Sequence, residues 1–250
     1  MSSAATAVPT PLPDPIPARP KQALQQEARF GAAFFRRHGW RLGLLFAGVL
    51  LPLWAFAELA DEVREQEGFP FDTPILLAAN AMARSGFDQL FLFFSAIGYQ
   101  YGVVPVDIAL VLLLAFKRRL HEGLFAGIAL AGSGLLNVAA KQFFARDRPS
   151  LWESIAPEDN YSFPSGHAMG SMTLALVLVA LAWPTRWRWP VLLAMAVFVT
   201  MVGLSRVYLG VHYPSDILAG WTAASVWTVG AYLLVFRGHL RPWRVGETRA

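Results

Sequence analysis

Residues 122–149 read EGLFAGIALAGSGLLNVAAKQFFARDRP. The stretch from 122 to 143 is almost entirely apolar or small, which is enough helix to cross a hydrocarbon core about 30 Å thick. It then delivers Lys141, Arg146 and Arg148 in quick succession. A single cation at such a place snorkels to the interface. Three together at one helix end call for something anionic to hold.

The same ruler finds further apolar spans at 40–59, 100–116, 166–184, 189–208 and 214–236, roughly six helices in all. The composition agrees: 250 residues, 55% hydrophobic against 15% charged, with a mean hydropathy of +0.42. That is apolar for a soluble domain and ordinary for a polytopic membrane protein. The expected fold is all-α, a polytopic membrane helix bundle. Residues 1–38, containing PTPLPDPIPARPKQ, are expected to be a disordered Pro-rich tail. Residues 39–236 form the membrane domain and 237–250 a basic tail. Between 61 and 99, DEVREQEGF is expected to be an acidic loop, followed by an interfacial helix and the approach to the second span.

Cysteine is absent, so thiolate chemistry, disulfides and cysteine metal sites fall away. The net charge of +4 does not indicate nucleic acid, because the basic residues sit between apolar spans rather than on one stripe. They orient the bundle instead, since short cytoplasmic loops carry the Lys and Arg excess. With both termini cytoplasmic, most of the 21 basic residues fall inside, and Arg64, Arg84, Lys141, Arg146, Arg148 and Arg206 fall outside.

Most of those exceptions accompany other polar groups. In KQFFARDRP, 141–149, Lys141 and Arg148 are about two helical turns apart and would share one side if the helix continued, although Pro149 pushes Arg148 toward an extended conformation. Asp147 is expected to pair with a neighbouring arginine. In YSFPSGHAMG, 161–170, Pro164, Ser165 and Gly166 precede an apolar span, so Ser165 is expected to cap a helix whose first N–H groups form an anion site. Ordinary capping accounts for Ser and Pro but leaves His167 unexplained. In SRVYLGVHYPSD, 205–216, Pro214 suits a first helical turn, and Asp216 lies where it can accept a hydrogen bond from the His212 ring and fix its tautomer.

All these stretches fall on one side of the membrane in this topology. Converged, they would supply Lys141, Arg148 and Arg206, helix-start amides, two imidazoles and a carboxylate, a set suited to a phosphate. Carboxylates are too few for magnesium or calcium, and three cations would repel zinc, so no metal and no cofactor is expected. The best-supported nucleophile is His212, oriented by Asp216 and forming a phosphohistidine. The cations and amides would hold the phosphate oxygens, and His167 would protonate the leaving group.

KQFFARDRP, PSGH and SRVYLGVHYPSD together resemble the three signature motifs of the type 2 phosphatidic acid phosphatase superfamily. These are lipid phosphate phosphatases related to vanadium-dependent haloperoxidases. The resemblance spans about 95–235 and implies a phosphatidic acid phosphatase type 2/haloperoxidase-like core. It also implies phosphate contacts from Lys141, Arg148, Ser165, Gly166 and Arg206, an acid role for His167, and a nucleophile with its partner at His212 and Asp216. The implied substrate is a membrane lipid phosphate, such as undecaprenyl diphosphate, phosphatidylglycerol phosphate, phosphatidate or a lipid A phosphate. It would be met in the bilayer at the outer leaflet of the cell membrane.

Rival readings use parts of the same pattern. A lipid phosphotransferase would pass the phosphoryl group to an acceptor other than water. A haloperoxidase would need vanadate, and its known relatives are soluble. A transporter would give Asp107, an ionisable group inside the second span, a central role. Position near the span end beside Pro105 favours a structural role for Asp107. Gly98, Gly132, Gly134, Gly203 and Gly220 are expected to allow close helix contact.

Overall fold

The computed structural model describes residues 39–237 and 242–243. The expected tail at 1–38 and most of the one at 237–250 lie outside the described residues. Two compact units divide the chain, Met1–Leu42 and Gly43–Ala250. Of the first, the described residues 39–42 are helical. The second carries the bundle and the site.

Helix α1 is the run Gly39–Arg64. Its turn at Phe46–Leu50 winds as π-helix just ahead of Pro52. Proline lacks an N–H and its ring crowds the carbonyl four residues back, so the wider turn accommodates it. The acidic stretch expected to be loop continues this helix through Arg64. Its Glu, Asp, Val and Arg are compatible with helix, and the helix gives way before Gly68 and Pro70.

Two short helices follow, α2 at Asp72–Ala81 and α3 at Ser85–Ile97. Then come α4 at Val103–Phe116, α5 at Leu120–Phe144, α6 at Gly166–Ala182, α7 at Arg188–Tyr208 and α8 at Pro214–Val235. No strand occurs among the described residues. Helices stand at all six expected spans. By length and apolarity α1, α5, α7 and α8 suffice to cross a membrane, whereas α4 and α6 are shorter.

Helix α6 is apolar on every side, as expected of a helix enclosed by others. It packs most extensively against α8 and α7, and also against α5. Far from the site, Phe125, Leu174, Val177 and Phe236 form the largest buried cluster. Nearer to it, Leu76, Ala168, Val207 and Ile217 tie α2, α6, α7 and α8 together.

The α6–α8 crossing is close because Gly220 has no side chain. A methyl there would stand 2.9 Å from the Ser165 carbonyl oxygen and 3.1 Å from the Met169 nitrogen. Gly98, Gly132 and Gly203 likewise face Val202, Trp227 and Trp221. Gly134 does not share this role: nothing lies within 4 Å of its Cβ direction. It lines instead a cavity of about 400 Å³ that also touches Asp107, Asn137, Gly166 and Thr173.

Candidate active site

The three polar stretches meet at one end of the bundle. Helix α5 brings Lys141 there and then stops, because Ala145 turns left-handed at φ 45°. The helix therefore does not carry Lys141 and Arg148 to one face. Arg148 returns through extended chain before Pro149, and both side chains reach Asn160: its Oδ1 accepts from Arg148 Nη2 and, at 3.1 Å, from Lys141 Nζ. Lys141 also donates to the Tyr161 carbonyl.

The loop between α5 and α6 is folded back on itself. The Ser162 hydroxyl donates to the carbonyls of Arg146 at 3.2 Å and Asp147 at 3.0 Å, and its N–H to the Arg146 carbonyl at 2.9 Å. That clamp sets residues 158–162 beside 146–148. Arg148 then donates from Nε to the Asn160 carbonyl at 2.6 Å and from Nη1 to the Val211 carbonyl at 2.6 Å. Burial lowers the Arg148 pKa, and the Glu158 charge opposes that shift.

Ser165 caps α6 as expected. Its buried hydroxyl accepts from the Ala168 N–H at 3.4 Å, and its own N–H donates to the Asp216 carbonyl at 3.1 Å. With the Ala168 N–H on the Ser165 hydroxyl and the Met169 N–H on the Ser165 carbonyl, the N–H groups of Gly166 and His167 are left as the helix-start donors. Gly166 itself lies against Asn137, whose Oδ1 would be 3.0 Å from an added Cβ. His167, one residue on, stacks at 5.2 Å on the Tyr99 ring.

From α7, Arg206 is 1% exposed and donates to the Ser95 hydroxyl and to Glu158. His212 follows in the turn between α7 and α8. Its Nδ1 lies 3.3 Å from Asp216 Oδ2, and its Nε2 lies 3.1 Å from Arg148 Nη1. The Asp216 carboxylate also accepts the Tyr213 N–H at 2.9 Å, a capping arrangement that fixes it at the start of α8. Burial, followed by the charges of Arg148, Arg206 and Lys141, drives the His212 pKa well below its ordinary value of 6.5. A neutral ring that donates Nδ1–H to the carboxylate turns its Nε2 lone pair toward the cations.

At the centre lies a residue that sequence reasoning missed. The Glu158 carboxylate is 2.6 Å from Arg148 Nη2, also pairs with Arg206 Nη2, and sits 3.9 Å from His167 Nδ1 and 4.0 Å from His212 Nε2. An oxyanion is thus held by both arginines between the two histidines. A lone glutamate in a loop has no periodicity or spacing to announce it.

Arg146 is not among the groups that meet there. It points away from this centre and pairs with Asp216 at 2.6 Å and Asp72 at 3.1 Å. Neither arginine takes Asp147, which is exposed. Asp107 lies on the cavity along α4 and α5, and its Oδ1 has no hydrogen-bond partner among the described residues.

Comparison with known proteins converges on the same stretches. The PAP2 superfamily model matches residues 122–239. An undecaprenyl-diphosphatase of Sulfolobus acidocaldarius is 31% identical over 165 residues, covering 64% of this chain and 76% of that protein. Phosphatidylglycerophosphatase B of Bacillus subtilis is 28% identical over 156 residues, covering 60% of this chain and 76% of its own length. Among solved structures, the transmembrane PAP2 type phosphatidylglycerolphosphate phosphatase of Bacillus subtilis superposes with a TM-score of 0.65 at 23% identity, covering 76% of this chain and 98% of that one.

Proposed function

The chain belongs to the PAP2 superfamily, and from that premise we propose that it hydrolyses a membrane lipid phosphate monoester or diphosphate at the outer leaflet through a phosphohistidine on His212. It is a membrane phosphatase of the PAP2 type. The observation that carries the finer reading is the seat taken by Glu158. A carboxylate shares with phosphate a negative charge and acceptor oxygens, and this one is gripped by Arg148 and Arg206 within 4.0 Å of the imidazole Nε2.

With phosphate in that seat, the Nε2 lone pair attacks phosphorus in line. The bond from phosphorus to the leaving oxygen breaks, its electron pair stays on that oxygen, and His167 supplies the proton. Asp216 stabilises the His212 ring as it becomes cationic, and Arg148, Arg206, Lys141 and the first amides of α6 hold the equatorial oxygens. Water, giving a proton to His167, then attacks phosphorus, and the phosphorus–nitrogen bond breaks with its pair returning to Nε2. The leaving oxygen is assigned to a lipid because the site lies at the ends of apolar helices and the relatives' names are those of lipid phosphatases. Undecaprenyl diphosphate and phosphatidylglycerol phosphate are the first substrates to try, given the relatives' names.

The outer-leaflet assignment is supported by charge. Lys117, Arg118 and Arg119 join α4 to α5, and Arg186 lies between α6 and α7, both at the opposite end of these helices from the site. Six crossings, with both termini cytoplasmic, give that arrangement.

The test is phosphate release by purified protein in detergent, with EDTA present. The substrates are undecaprenyl diphosphate, phosphatidylglycerol phosphate, phosphatidate and a lipid A phosphate, with His212→Gln as blank. Release from at least one lipid, lost in the blank, is expected. No release from any of them, or transfer of the phosphoryl group to an acceptor other than water, would overturn the hydrolase reading.

A further inference from the structure

We infer that Asp72, on α2 and outside all three polar stretches, is a positioning residue for the nucleophile, acting through Arg146 and Asp216. The inference rests on the proposed role of His212. The chain of contacts is continuous. Asp72 Oδ2 lies 3.1 Å from Arg146 Nη2, Arg146 Nη1 lies 2.6 Å from Asp216 Oδ1, and Asp216 Oδ2 lies 3.3 Å from His212 Nδ1. Asp72 is also anchored to the helix that carries Asp216. Its Oδ1 accepts the Ser215 N–H at 2.9 Å and its Oδ2 the Ser215 hydroxyl at 2.6 Å, while Ser215 Oγ accepts from Arg146 Nη1 at 2.8 Å.

The burial of these groups makes their balance matter. Asp72 is 3% exposed and Asp216 0%. A guanidinium placed against a buried carboxylate competes with the imidazole for that carboxylate's charge. With Asp72 on its other edge, Arg146 is shared between two carboxylates, and the group facing His212 keeps a net negative charge. Without Asp72, Arg146 neutralises Asp216 and is free to pull it off Nδ1. The Tyr213 ring, 4.1 Å from the guanidinium, holds Arg146 in the plane where its fork reaches both acids. Asp72, Arg146, Asp216 and Tyr213 are not among the groups paired with Glu158, so the effect falls on the reactivity of the imidazole rather than on phosphate binding.

The experiment compares wild type, Asp72→Asn and Arg146→Lys in detergent. Steady-state hydrolysis, competitive inhibition by orthophosphate, and the proton resonance of the His212 Nδ1–H, identified by its absence in His212→Gln, are measured on each. Asp72→Asn is expected to lower kcat about 10- to 100-fold, the usual cost of losing an outer partner of a reacting group, with KM and the orthophosphate inhibition constant within about twofold. The Nδ1–H resonance moves upfield as its bond to Asp216 weakens. Arg146→Lys cannot span both carboxylates and gives the same pattern, which keeps the test open should Asp72→Asn fail to fold. A kcat at the wild-type value, or an unmoved resonance, would overturn the inference while leaving the hydrolase reading intact. The resonance needs no turnover, so it decides the inference even if the hydrolase reading fails.

Discussion

Glu158 and Arg148 form an ion pair of 2.6 Å at the seat proposed for the substrate phosphate. The same carboxylate pairs with Arg206, so a substrate has to displace an internal anion from both arginines. Glu158→Gln removes that competitor's charge. The KM for lipid phosphate and the inhibition constant for orthophosphate are expected to fall about tenfold, equivalent to about 1.4 kcal/mol. A collapse of kcat with no tightening of orthophosphate would instead make Glu158 part of the chemistry.

His167 is read as the acid that protonates the leaving oxygen, and an acid matters in proportion to the basicity of what leaves. His167→Ala should cost roughly 10²- to 10⁴-fold in kcat with a lipid alkoxide leaving group. With p-nitrophenyl phosphate, whose leaving group needs no proton, the loss should be much smaller. Equal losses on both substrates would remove the acid assignment.

The pH profile follows from His212. In the proposed mechanism only the neutral imidazole attacks, and burial with the surrounding cations holds its pKa well below 6.5. Lowering the pH through 6.5 therefore does not protonate the nucleophile of the free enzyme. The acidic limb of kcat/KM, once corrected for the substrate's own ionisation, is expected below that value. A limb at or above 6.5 would contradict the environment described for this ring.

Gly220 sets the approach of the helix carrying Asp216 to the helix capped by Ser165. A methyl at this position meets backbone atoms of Ser165 and Met169 at 2.9 and 3.1 Å, which cannot rotate away. Gly220→Ala is expected to destabilise the protein by about 1–3 kcal/mol, the usual cost of overpacking. Thermal unfolding in detergent measures this. Activity should fall with it, because the Ser165 N–H to Asp216 carbonyl bond crosses the same contact.

Much of the placement of the candidate site was legible because its residues occupy helix ends, where local rules are strong. Ser165 reads as a cap, Pro214 as a first-turn residue, and Asp216 as four residues from His212, and each occupies that position. The helix positions were legible for the similar reason that long apolar runs fold as helices. What sequence could not supply depends on contacts between distant segments. Arg146 and Arg148 are chemically alike and two residues apart, yet one faces the centre and the other faces Asp72, because Ala145 ends the helix and the chain beyond it turns. Glu158 and Asp72 sit on a loop and a short helix whose docking no periodicity encodes. The acidic run 61–69 departs from the expected loop only through Arg64, where it is helical, for a different reason: loops are polar, but charged residues are also compatible with helix.

The most direct test of the account is a rapid-quench experiment with substrate labelled in the phosphate that is released. The account predicts a transient acid-labile, base-stable phosphoryl group on His212, formed and lost at rates that support turnover and absent from His212→Gln. Turnover with no label on the protein, or label that persists in His212→Gln, would contradict a phosphohistidine at this position.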